Sequence, residues 1–105
     1  METIKYATEQ CILQSELQSI ADVDGSVALT DAASAVAAGA RSVLIQVAAN
    51  TAALRFDGEA VDADPATGTH HRFSAPDIWQ LQMDPTAIRV AAIGALTVIS
   101  ASYWR

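Results

Sequence analysis

Only one cysteine, Cys11, occurs among the 105 residues. No internal disulfide can form, so a small secreted scaffold held by cystines is excluded and a reducing compartment is expected. Positive charge is also scarce. Lys and Arg number 6 against 12 Asp and Glu, for a formal net charge of −6 and a sequence pI of about 4.5. The basic residues (Lys5, Arg41, Arg55, Arg72, Arg89 and Arg105) are scattered, and no two are adjacent. Nucleic-acid binders cluster such side chains to displace counterions from phosphates. No nucleic-acid partner is therefore expected, nor any attachment to an anionic membrane surface. Long apolar runs are missing too: the longest uncharged stretch, Val90 to Trp104, falls short of the roughly 20 residues that span a bilayer. The opening METIKYATEQ has one early Lys and no apolar stretch of signal-peptide length. The expectation is a soluble protein made inside the cell.

Charged residues make up 17% and hydrophobic residues 51%, the reverse of the balance that keeps a chain disordered. The length suits one domain. Alanine supplies 22 of the residues, so the apolar fraction overstates the area available for a core. A chain of this size hides about two thirds of its unfolded surface. The charges are too few to coat the rest, and part of that surface is expected to meet a partner.

Residues 1–25 read as an N-terminal arm, polar and Gln-rich, ending in the turn signal Asp22-Val23-Asp24-Gly25. Thr8 to Ile20 fits a helical and a strand period equally well. Residues 26–105 read as the domain proper. Asp31 to Ala40 is alanine-rich, yet Gly39 and the weak amphipathic pattern favour an irregular connection or weak strand over a helix. Ser42–Val47 and Ala52–Phe56, around Asn50-Thr51, form the best hairpin candidate. A loop follows, marked by Asp64-Pro65 and Gly68, then a short His70–Phe73 segment. Ile78–Met83 alternates, and Thr86–Ile93 with Ala95–Tyr103 make a final hairpin around Gly94. Short pieces between turn signals predict an all-β fold, a small antiparallel β-sandwich or jelly roll with an N-terminal arm. Period-2 alternation places Leu54, Phe56, Trp79, Leu81, Ile88, Val90, Leu96 and Val98 in the interior, with Arg55 pointing outward.

Few residues offer chemistry. His70-His71 would point to opposite faces of a strand, and one Cys with two His cannot supply the usual four zinc ligands. Asp57, Glu59, Asp62 and Asp64 form the densest acidic cluster. Calcium loops place Gly sixth and Glu twelfth, whereas here Gly58 comes second and Gly68 twelfth. A solvated acidic loop is the plain reading, with an adventitious cation site near Asp57–Asp64 as the alternative. Cys11, in an Ile/Leu-rich arm, reads as a buried, inert thiol. No Gly-x-Ser-x-Gly turn or Gly-rich phosphate loop occurs. Trp104, beside Arg105, must fold back or dock on a neighbour. No catalytic, cofactor-binding or metal-binding residue is assigned, and an enzyme is not expected.

Residues 26–105 resemble small β-sandwich virion proteins of tailed bacteriophages. The matching pieces are Gly39-Ala40-Arg41-Ser42-Val43-Leu44-Ile45, Ala53-Leu54-Arg55-Phe56-Asp57-Gly58, the loop Ala63-Asp64-Pro65-Ala66-Thr67-Gly68-Thr69, Ile88-Arg89-Val90-Ala91, and the terminal Leu96–Tyr103. Ala66 follows Pro65 where such proteins carry Thr, and the Gln-rich arm has no counterpart in them. The resemblance implies a structural virion protein made in the host cytoplasm. The expected role is a capsid cement or decoration subunit, a homotrimer bound to the major capsid protein on the capsid surface. Alternatives are a tail or head-tail accessory subunit, or a small module binding a glycan or cation through residues 57–73. Residues 1 to about 22 are expected to be poorly packed on their own domain and ordered by a neighbouring subunit.

Overall fold

Between Thr97 and Trp104 buried and half-exposed residues alternate without a break, the period of a strand with one face against a core. This strand is the spine of the larger of two sheets. The computed structural model describes residues 10–62, 64 and 68–105. In chain order its elements are β1 (Cys11–Gln14), β2 (Gln18–Ile20), a 3-10 turn (Asp22–Asp24), β3 (Val27–Ala28) and helix α1 (Ala32–Ala37). Next come β4 (Ser42–Ala49), β5 (Thr51–Arg55), β6 (His71–Ser74), β7 (Ile78–Leu81), a second 3-10 turn (Pro85–Ala87), β8 (Arg89–Ala92) and β9 (Thr97–Trp104).

The pairing is nested and antiparallel throughout. β2 pairs with β9, β3 with β8, β4 with β7 and β5 with β6, as in one long ribbon folded at its middle. β4 with β9 and β5 with β8 roll that ribbon onto itself. The larger sheet runs β1-β9-β4-β7, with β2 also on β9, and the smaller runs β3-β8-β5-β6. Two such sheets face to face make a jelly roll, so the expected all-β sandwich class holds.

The two expected hairpins do not form. β4 and β5 are joined by Asn50 alone but lie in opposite sheets. Asn50 adopts φ 63°, the β4 ladder slips between Val47 and Ala49, and Asn50 Nδ2 donates to Leu96 O at 2.6 Å. The chain thus bends over the sandwich edge instead of doubling back. β8 and β9 change sheets in the same way through Gly94, whose φ of 74° suits glycine.

From residue 10 the arm is part of the fold; residues 1–9 lie outside the described residues. β1 and β2 occupy the edge of β9 in succession, and Ile20 is fully buried. The Gln18 side chain donates to Ala28 O and accepts from Thr30 N, both at 3.0 Å, stitching the larger sheet to the chain leaving β3. The expectation of a poorly packed segment is therefore corrected, because these residues supply an edge strand and a core side chain. Cys11 is corrected as well. On the edge strand β1 its thiol is exposed and free.

A helix stands where an irregular connection was expected. Alanine's helix propensity carries Ala32–Ala37 with Ala32 and Ala35 buried. Gly39, at φ 103°, then ends it with paired bonds from Gly39 N to Val36 O and from Ala40 N to Ala35 O, both 2.9 Å.

The core joins Val43, Ile45, Val47, Ile99 and Tyr103 of the larger sheet to Leu54, Ile88 and Val90 of the smaller side. Leu54, Ile88 and Val90 match expectation. Leu96, 52% exposed, and half-buried Val98 do not, because β9 turns the opposite set inward: Thr97, Ile99, Ala101 and Tyr103. Two of these carry polar tips that find partners inside, with Thr97 Oγ1 donating to Thr51 O at 2.8 Å and the Tyr103 hydroxyl to Thr30 O. Trp79 and Leu81 lie opposite Ile45 and Val43 and so face inward, but β7 is an edge strand and Trp79 stays 49% exposed. Phe56 is likewise only partly buried.

Candidate functional site

Register brings together arginines that the sequence separates. Arg55 lies directly across from Arg89, and Arg72 across from Ala53, next along β5 on the same side as Arg55. Three of the six basic residues thus share the outer face of the smaller sheet, correcting the view of them as scattered. Each sits differently. Arg55 makes a bidentate pair with Asp57, Nε to Oδ1 at 2.6 Å and an Nη to Oδ2 at 2.8 Å. Arg72 Nε donates to His70 Nε2 at 3.1 Å. Arg89 Nε is buried without a hydrogen-bond partner among the described residues.

The segment after β5 is clasped across this face. Arg55 also donates to Thr69 Oγ1 at 3.0 Å and Ala60 O at 3.4 Å. Val61 N donates to Ser26 Oγ, beside β3, at 3.1 Å, and Gly58 N to Ala87 O at 2.8 Å. This path crosses the outer side of the sheet and accounts for the burial of Ala53 and Ala91, which face that way. His70 locks the return. Its Nε2 accepts from Arg72, so the proton sits on Nδ1, which donates to Asp62 O at 2.7 Å; the tautomer is assigned from this network. Gly68 is packed so tightly against Asp62 O, Asp64 O and His70 Nδ1 that no Cβ fits there. Residues 63 and 65–67, within the loop that carried the resemblance, lie outside the described residues.

Two carboxylates of the acidic cluster hold the loop. Asp57 Oδ1 accepts from Glu59 N at 3.1 Å, and Asp62 Oδ1 from Asp64 N at 3.0 Å. Among the described residues no group of three or more His, Cys, Asp or Glu is placed to hold a metal ion. The two histidines diverge: His70 joins the clasp, while His71 stacks on Phe56 with centroids 5.6 Å apart and planes 22° apart.

Under the clasp lies an open cleft of about 540 Å³ lined by Leu54, Arg55, Phe56, Asp57, Gly68, Thr69, His70 and His71. An aromatic row continues from it. Phe56 lies 6.4 Å from Phe73, and Phe73 lies 5.3 Å from Trp79. These rings meet between β6 and β7, edge strands of opposite sheets, with Trp79 on the outside of the row. Sequence reading placed Phe56 and Trp79 in the core and missed the row. Its only signal was that both sit on short strands able to become edges.

Hydrogen bonding from Arg55 first, then from the Glu59 N–H, holds the Asp57 carboxyl down to about 2 from its ordinary 3.8, against some loss of hydration. Asp57 is therefore an acceptor at neutral pH and no proton donor. A depressed carboxyl contributes stability above its unfolded value and loses it as pH falls through the folded one. The melting temperature of Asp57→Asn should accordingly trail the native protein's by a constant margin above 3.8, a margin that closes towards pH 2. A margin unchanged at the acid end would show that the pair does not hold the loop.

Trp104 ends β9 half-buried on its outer face, its Nε1 donating to Ser102 Oγ at 2.9 Å. No helix among the described residues is long and apolar enough to cross a membrane. No protein-family model, no curated protein and no solved structure matches the chain.

Proposed function

We propose that this protein is a structural subunit of a bacteriophage virion, a cement or decoration protein seated on the outer capsid surface. The observation that carries this reading is the outer face of the larger sheet. Register places Gln14, Ser19, Ser42, Leu44, Gln46, Ala49, Ile78, Gln80, Val98, Ser100, Ser102 and Trp104 on it. None of them is charged, in a chain of net charge −6. Protein interfaces deplete charge at their centres and keep apolar and small polar groups there. A broad neutral sheet face is a surface for a neighbour. The exposed Leu17 and Leu96 extend the apolar area near its rim. Jelly rolls serve in capsid and lectin domains alike, so the fold favours the virion reading by analogy only. The resemblance of residues 26–105 to phage virion proteins adds to it.

In this reading the neutral face docks on the major capsid protein and copies of the chain associate as trimers. Repetition on a lattice multiplies weak contacts. The test is to place charge on the face without disturbing the core. Gln46→Lys and Ser100→Glu should melt close to the native protein, yet bind purified capsids of the encoding phage at least about tenfold more weakly. Undiminished co-sedimentation of both variants would refute the docking face. Quantitative mass spectrometry of virions separates the two structural roles: near-stoichiometry with the capsid protein marks cement, and a few copies per particle marks a tail or head-tail accessory subunit.

A further inference from the structure

We infer that the aromatic row of Phe56, His71, Phe73 and Trp79, with the cleft lined by residues 54–57 and 68–71, is a binding site for a neutral oligosaccharide. His71 and Trp79 present exposed rings, while Phe56 and Phe73 support them as partly buried side chains packed on the core. Register turns His71, Phe73 and Trp79 to the inner side of the two edge strands, opposite Leu54, Ala52 and Ile45. The four rings form a supported aromatic row, not part of the closed interior.

The ligand class follows from what the row and cleft offer together. One face of a pyranose ring is a patch of C–H groups, which lies favourably on the electron-rich face of an aromatic ring. Its rim is a ring of hydroxyls that need donors and acceptors. The cleft supplies these in mixed sign: Asp57 Oδ2, which takes one bond from Arg55 and keeps a second lone pair, the Thr69 hydroxyl, which accepts from Arg55 and keeps its own proton to donate, and the exposed His71 imidazole. Apolar rings with a few convergent polar groups are the usual make-up of a small-ligand site.

Charged ligands fit less well. The Arg55 guanidinium is neutralised by its bidentate pair with Asp57, and the net charge of −6 repels polyanions. Among the described residues no three His, Cys, Asp or Glu side chains converge to hold a metal cation. A neutral polyhydroxylated chain matches the aromatic faces and the mixed donors and acceptors of the cleft.

The experiment is calorimetric titration of the whole protein with cellohexaose, mannohexaose, maltohexaose and chitohexaose, with oligogalacturonate as the anionic counterpart. At least one neutral hexasaccharide should bind with Kd at or below about 1 mM. Trp79→Ala and, separately, His71→Ala should weaken it at least about tenfold. Both side chains are exposed, so circular dichroism and melting should stay near native values, and Trp104→Phe, on the opposite sheet face, should leave binding unchanged. The inference is overturned if none of the four neutral sugars binds at concentrations up to about 10 mM. It is overturned equally if binding survives both substitutions, or if oligogalacturonate binds more tightly than every neutral sugar.

Discussion

Truncating Ile99 to alanine is expected to cost about 2–5 kcal/mol, the range for a large aliphatic side chain removed from a core that cannot collapse around the gap. Ile99 is 1% exposed and lies opposite Val47 at the centre of the larger sheet. Its neighbour Val98 faces the other way and is half-exposed, so Val98→Ala should cost under ~1 kcal/mol. A domain has only ~5–15 kcal/mol of stability in all, so the first variant should show a denaturant midpoint far below the second. Equal midpoints would mean that β9 sits one residue out of the register described, because a one-residue slip exchanges the two faces.

Tyr103 should be the most sensitive single position. It is the largest fully buried side chain, and its hydroxyl donates to Thr30 O, tying β9 to the segment before α1. Replacement by alanine should cost roughly 3–5 kcal/mol, as for a buried aromatic. Replacement by phenylalanine keeps the ring and leaves the Thr30 carbonyl without that donor, at about 1–3 kcal/mol. The two variants thus separate packing from the hydrogen bond. Burial pushes the phenol up to about 12 from its ordinary 10.0, the charge of Asp31 acts in the same direction, and a hydrogen bond with Ser15 opposes them. A group whose value is raised on folding contributes stability below its unfolded value and loses it as pH rises through the folded one. The native protein should therefore lose stability relative to Tyr103→Phe between pH 10 and about 12. Parallel melting curves across that interval would place the phenol in water and contradict its burial.

The candidate site was only partly legible beforehand. Asp57, Thr69, His70 and His71 drew notice as a loop rich in polar side chains, and alternation alone implied that the two histidines diverge. What no spacing could show is that Arg55 would be the loop's organiser. It reads as an outward strand residue, and so it is, yet its guanidinium reaches Asp57, Ala60 and Thr69 at once. The grouping of Arg55, Arg72 and Arg89 is equally invisible along the chain. Those positions become neighbours only when β6, β5 and β8 are laid side by side.

Period-2 patterning by itself determined the class of fold, the division into short strands and most turn positions, because burying one face of a pleated sheet imposes that pattern locally. It also identified Leu54, Ile88 and Val90 as core. Which strands pair was decided only by the tertiary structure. Asn50 and Gly94 could each have closed a hairpin, but their positive φ values serve bends between sheets, since two faces of limited width bury more apolar area stacked than side by side. The same choice settled the face of β9. Thr97 and Tyr103 look poor core residues until Thr51 and Thr30 offer carbonyls to receive their hydroxyls, while Val98 looks a good one until β2 and β4 set it on the neutral outer face. Burial depends on which partners satisfy a side chain's polar atoms, and those partners lie far away in sequence.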